Sequence, residues 1–149
     1  MEYEFEKHRI IGGIGADDEY WRGLERGEFR LPRCARCAHW LWPAHFRCAE
    51  CGSWDIAWVS LEPIGRIFTW TRSWYVFDRT RERAADIPYV TVVAEIPAAD
   101  GARVMGVLQG PQDGLRIGAP VRGSIDSPAV ISKGYPSIRW RLTREPVHV

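Results

Sequence analysis

The chain has only four cysteines, Cys34, Cys37, Cys48 and Cys51, and they fall in two Cys-x-x-Cys pairs separated by ten residues. A tetrahedral thiolate site needs two short pairs whose chain turns tightly enough to aim all four sulfurs at one point. The spacing therefore predicts a zinc ribbon, with those four residues as metal ligands. The pairs also match beyond sulfur. Cys34-Ala-Arg-Cys37-Ala-His-Trp40 and Cys48-Ala-Glu-Cys51-Gly-Ser-Trp54 share the order Cys, Ala, charged, Cys, small, polar, Trp, so they read as two copies of one knuckle. A knuckle points backbone N–H groups at its sulfurs, and a small residue after the second cysteine, here Ala38 and Gly52, eases that turn.

Four thiolates leave no coordination position for water, so the expected metal, Zn²⁺, is structural. Iron in a rubredoxin-like site is the alternative occupant; it would make the chain an electron carrier and colour the protein. His39 and His45 lie within the ribbon, but four cysteines already close the site, so both are expected on the surface. Disulfides would need an oxidising compartment. The first nine residues, Met-Glu-Tyr-Glu-Phe-Glu-Lys-His-Arg, hold no apolar leader region, so a cytoplasmic location is expected. A dithiol redox pair is a poorer account, because no thioredoxin-like βαβ pattern surrounds either motif.

With 149 residues the chain forms one compact unit or two small ones. A ribbon of about thirty residues is too short to bury a core, so metal binding has to supply much of its stability. Twenty basic residues against nineteen acidic ones give a formal charge of +1. That balance argues against single-stranded nucleic-acid binding, which needs a clustered positive surface, although ribbons and small β-barrels elsewhere do serve it. No apolar run reaches the roughly 18 residues that a membrane span requires, so no membrane association is expected. Eight tryptophans are present, seven of them between Trp21 and Trp74. The plain reading puts them in the core, yet Trp equally suits interfaces and stacking surfaces, so their exposure is informative.

Along the chain, Ile10-Ile11-Gly12-Gly13-Ile14-Gly15 reads as an arm able to dock on a partner. A short helix follows, with Asp17 and Asp18 at its N-terminal end, Tyr20, Trp21 and Leu24 on one face, and Gly27 as its stop. Phe29–Pro32 leads into the ribbon as a strand. After Cys51, short apolar runs separated by Pro and Gly predict a small all-β barrel or sandwich, with strands over Asp55–Leu61, Arg66–Phe77, Tyr89–Ile96, Arg103–Leu108, Pro120–Ile125 and Ile138–Leu142. The second is long enough to bend across two sides of a barrel. Pro97–Gly101 suits a hairpin connection, and Asp78–Asp86 reads as an ion-paired, solvated connection. By strict alternation, Phe68, Trp70, Arg72 and Trp74 share one strand face, and Ile67, Thr69, Thr71 and Ser73 share the other.

One helix, a zinc ribbon and a five-stranded barrel, in that order, resemble the domain-of-unknown-function thirty-five family. The resemblance rests on Tyr20-Trp21-Arg-Gly-Leu24, Phe29-Arg-Leu-Pro-Arg-Cys34, Pro43 between the knuckles, and Trp58-Val59 after them. Further along, Gly65-Arg-Ile-Phe-Thr-Trp-Thr71, Pro88-Tyr-Val90 and Leu115-Arg-Ile-Gly-Ala-Pro-Val121 carry it. It implies a mainly β fold: an arm and helix over residues 1–29, a rubredoxin-like zinc ribbon over 30–58, and a five-stranded antiparallel OB-fold barrel over 59–149. It also implies an accessory subunit that complexes with a thiolase-like enzyme and supports carbon–carbon cleavage or formation in acyl-CoA thioesters, including those of steroid side chains. In that reading Arg66, Trp70, Arg72 and Trp74 contact a coenzyme A thioester, and Tyr20, Trp21 and Leu24 contact the partner. The residues themselves offer no nucleophile with a recognisable base, so the chain alone is expected to be non-catalytic.

Overall fold

A computed structural model describes residues 15–144; the arm's Ile10, Ile11 and Ile14 lie outside the described residues. The first element, helix α1 (Asp18–Glu25), carries Asp18 and Glu19 in its first turn, where acidic groups meet the positive end of the helix dipole. It ends where Gly27 takes φ +77°, a left-handed conformation that suits glycine, and the Glu28 N–H donates to the Gly23 carbonyl at 2.8 Å. Strand β1 (Arg30–Cys34) then enters the ribbon and β2 (Ile56–Ser60) leaves it, paired antiparallel from Arg30 opposite Ser60 to Cys34 opposite Ile56.

Five strands close a barrel in the order β3 (Ile64–Ser73), β4 (Tyr89–Ile96), β5 (Ala102–Leu108), β7 (Ser137–Leu142), β6 (Pro120–Asp126). Four seams are antiparallel, but β5 and β7 pair in parallel through Val107 opposite Arg139 and Leu108 opposite Trp140, so the barrel is mixed and not wholly antiparallel. The reason is topological. β6 antiparallel to β7 runs against β5, and β7 slots between them to close the barrel, which leaves it running with β5. That is the Greek-key order of an OB-fold.

The barrel core is built by β4's strict alternation, which sends Val90, Val92, Ala94 and Ile96 inward. Trp140 fills the centre, fully buried. Two neighbours make room for it: a Cβ on Gly106 would come within 2.8 Å of the indole, and one on Gly123 within 3.0 Å. The same buried cluster continues outside the barrel through Tyr20, Leu24, Phe29 and Leu31, with the Phe29 ring edge-on to Trp140 at 6.3 Å. Helix and barrel are thus joined by one core, and the helix's apolar face is covered within the chain. The ribbon has a separate small cluster of Cys34, Leu41 and Cys48, with Cys51 and Ile56 packed against it.

Two expectations need correction. Trp140 is the fully buried tryptophan; Trp21, Trp40, Trp42 and Trp58 are half-buried against the core, and Trp54, Trp70 and Trp74 are exposed. A strand-by-strand alternation also fails in β3. Ile67 pairs with Ala94, and the next paired residue is Thr69, opposite Val93, so Phe68 is an extra residue in a β-bulge. The aromatic row is therefore split. Ile67, Trp70 and Arg72 lie opposite Ala94, Val92 and Val90 and share their inward face, whereas Phe68 turns outward beneath the Arg103 guanidinium at 3.6 Å.

Candidate functional site

The four sulfurs gather as the spacing predicts, all within 4.8 Å of one another, with Cys34 to Cys51 and Cys37 to Cys48 at 3.6 Å. Tetrahedral thiolates on zinc stand roughly 3.8 Å apart, given a Zn–S bond of about 2.3 Å, so the donor set fits a four-coordinate metal. His39 and His45 are exposed and lie outside the cluster. Ala38 and Gly52 have φ of 63° and 73°, the left-handed turn the knuckle requires, and each donates its N–H at 2.9 Å to the carbonyl of the first cysteine of its pair. In return the Cys34 and Cys48 N–H groups donate to His39 and Ser53 carbonyls at 2.8 Å.

These turns bring donors to the sulfurs. The Cys37 backbone N–H outweighs burial and holds the Cys34 thiol down at about 6. The His39 N–H favours the Cys37 thiolate, but burial and the three neighbouring sulfurs push that thiol up to about 12. Four thiolates this close repel one another, and a divalent cation relieves that repulsion, which is why the cluster suits a metal.

The repeat extends one residue further upstream than the cysteine alignment shows. Arg33 and Arg47 precede the first cysteine of each knuckle; the Arg33 Nε donates to the Ala38 carbonyl at 2.8 Å and the Arg47 Nε to the Gly52 carbonyl at 2.9 Å. Each guanidinium then stacks on the knuckle's own tryptophan, Trp40 at 5.3 Å and Trp54 at 5.8 Å. Each turn is clasped twice by one side chain. The matched Arg-Cys-Ala pattern at residues 33–35 and 47–49 was the available signal.

Of the four candidate ligand residues on the barrel, the structure brings together two. Arg72 lies over the Trp70 ring at 5.5 Å and donates to Gln112 Oε1 at 2.7 Å, and because Trp70 is on the inward face yet exposed, the pair sits at an open end of the barrel. Arg66 pairs opposite Glu95 on the other face of β3, and Trp74 lies beyond the strand's end, widely exposed with Tyr75 and Phe77. Trp70 is 37% exposed and Trp74 70%. The connection Asp78–Asp86 is a 3-10 helix with the expected ion pairs, Arg81 to Asp78 at 2.6 Å and Arg83 to Asp86 at 3.5 Å. Its Glu82 meets Lys133 of the β6–β7 connection at 3.8 Å.

The helix residues divide similarly. Tyr20 and Leu24 are 4% and 2% exposed and belong to the shared core; burial pushes the Tyr20 phenol up. Trp21 is half-buried, donating Nε1 to Asp17 at 2.9 Å and meeting Tyr135 edge-on at 5.4 Å. Of the three, Trp21 is the one with surface to offer. Beside it lies a cleft of about 560 Å³ that the sequence did not reveal, between the outer face of β4 and β5 and a wall from α1 and the ribbon that includes Trp21 and Trp42. Among the described residues no helix is long and apolar enough to cross a membrane.

No family model matches the chain, and no curated protein does. Solved structures share its fold, two of them as follows. A chain of the Ltp2-ChsH2(DUF35) aldolase aligns with a TM-score of 0.73 at 21% identity, covering 90% of this chain and 98% of that one. A protein of unknown function from the DUF35 family of Sulfolobus solfataricus aligns with a TM-score of 0.58 at 18% identity, covering 93% of both. The order of helix, four-cysteine ribbon and five-stranded closed barrel is therefore that of the DUF35 structures.

Proposed function

We propose that the chain is a non-catalytic accessory subunit that complexes with a thiolase-like enzyme and supports carbon–carbon bond cleavage in a CoA thioester, with steroid side chains as one substrate class. The observation that carries this reading is the end-to-end match to a chain of an aldolase assembly, which spans helix, ribbon and barrel together. The chemistry of this chain agrees with a supporting role. Its sulfurs are gathered into one four-thiolate cluster, which when loaded, with zinc as the proposed metal, is coordinatively closed and serves to hold the ribbon. Its two described histidines, His39 and His45, are exposed on the ribbon.

In this reading Trp21 contacts the partner, and Trp70 with Arg72 contacts the CoA moiety: an indole face stacks on a base, and a guanidinium forks onto phosphate. Arg72 is already oriented by Gln112 and Trp70, which lowers the entropy lost on binding. The test is co-expression with thiolase-like enzymes of the same genome, followed by size-exclusion chromatography and an aldol-cleavage assay. A stable complex with cleavage activity that neither component shows alone is expected. Trp21→Ala should weaken the complex by about 2 kcal/mol while leaving the metal bound, and Arg72→Ala should preserve the complex and raise the KM for the thioester several-fold. Turnover by the isolated chain, or no complex with any such enzyme, overturns the proposal.

A further inference from the structure

The cleft beside Trp21 lies on the opposite side of the β4 surface from Trp70 and Arg72, and its lining is chemically polarised. Its middle is apolar: Trp21 and Trp42 form one wall, and Met105, Val107 and Ile138 face them. Met105 is 65% exposed there, a large apolar side chain left in water within a concave surface. Its volume of about 560 Å³ falls within the range of about 300–1,000 Å³ typical of small-molecule sites.

One end of the cleft is cationic. Arg83, from the 3-10 helix, and Arg139, from β7, both line it with side chains only 16% and 12% exposed. Each guanidinium has one carboxylate neighbour, Asp86 Oδ2 at 3.5 Å from Arg83 Nη1 and Asp126 Oδ2 at 3.1 Å from Arg139 Nε, and Arg83 also lies over the Tyr89 ring at 5.3 Å. Those contacts leave further N–H groups of both arginines unspent, since a guanidinium carries five. The two are close enough to act on each other: burial, and then the Arg139 charge, lower the proton affinity of Arg83 despite Asp86. An oxyanion between them would accept the unspent donors and relieve that repulsion. Because Asp86 and Asp126 already offset the two positive charges, a monoanion matches the site better than a dianion. Of the residues that line the cleft, Asp17 is the one carboxylate, and it is engaged by Trp21 Nε1 at 2.9 Å; the third lining arginine, Arg103, has its own partners in Glu95, 3.9 Å away, and the Phe68 ring beneath it.

We propose that this cleft binds an amphipathic monocarboxylate, its apolar body between Trp21 and Met105 and its carboxylate on Arg83 and Arg139. The cleft shares Trp21 with the proposed partner contact, so it is tested on the chain alone, and it does not rest on CoA binding at Trp70 and Arg72.

Titration of the metal-loaded full chain with decanoate, decanol and decyl phosphate, followed by calorimetry and tryptophan fluorescence, tests it. Decanoate should bind one to one, and decanol about tenfold or more weakly, the loss expected when charge-assisted hydrogen bonds go unmade. Arg139→Gln should remove that preference and leave decanol affinity unchanged. Should Arg139→Gln fail to fold, Arg83→Gln tests the same end from the 3-10 helix, and Val107→Trp, which fills the cleft, should abolish binding of all three. Failure of decanoate to bind, equal affinity for decanol, tighter binding of decyl phosphate, or a preference for decanoate that survives both arginine changes would each overturn the assignment.

Discussion

The ribbon and the barrel are held together by different means. The ribbon's own apolar cluster amounts to Leu41 and Ile56 beside the cysteines, and its order comes from sulfur geometry, two left-handed turns and two arginine clasps. The barrel needs none of these. It closes around Trp140 and the inward residues of β4, whose removal from water is favourable with no ligand bound. One region therefore depends on a ligand's free energy and the other on its own side chains, although β1 ties them by sharing Leu31 with the barrel's core.

The sharpest way to separate the two is to remove a ligand. Cys48→Ser, or exhaustive chelation, should abolish stoichiometric metal and collapse the amide resonances of residues 35–55 while the barrel's resonances persist; apparent metal-binding energies at such sites are about 10–16 kcal/mol, more than the ribbon can replace. Simultaneous loss of both sets of resonances would show that the barrel, too, rests on the metal. The reciprocal change is Trp140→Ala, expected to cost about 3–5 kcal/mol in urea denaturation with one metal per chain retained. A smaller effect comes from the clasps. Arg47→Ala should speed metal transfer to a chromogenic chelator several-fold, in line with the roughly 10-fold or greater losses seen when groups that orient metal ligands are removed, and should leave the barrel's denaturation midpoint unmoved. An unchanged transfer rate would make the Arg47 contacts incidental.

The contrast also explains what could be read from the chain itself. The four-cysteine cluster was legible because its spacing is local and few chemistries need it, and the turns at Ala38 and Gly52 followed from it. The helix stop at Gly27 and the bounds of β4 at Tyr89–Ile96 were legible for similar reasons, a breaker in one case and an unbroken alternation in the other. Arg33 and Arg47 could have been found by extending the repeat by one residue. The faces of β3 could not, because period two carries no mark of where an extra residue sits. Nor could the cleft, whose lining comes from α1, the ribbon, the 3-10 helix, β4, β5 and β7, residues brought together only by folding.

The bulge at Phe68 separates two contributions that a single residue usually makes together. Its neighbours on either side pair with Ala94 and Val93, which are consecutive, so the strand's partners are already in register without it. Replacing its ring with a methyl group would release Arg103 and leave the main chain bent; deleting the residue would keep every pairing and take away the bend. β3 pairs with both β6 and β4 at Arg66, two residues before, so the bulge falls next to the point where the strand passes from one partner to the other. The contribution of Phe68 to the strand's path therefore comes through its peptide unit, and substitution there is expected to perturb the barrel less than deletion.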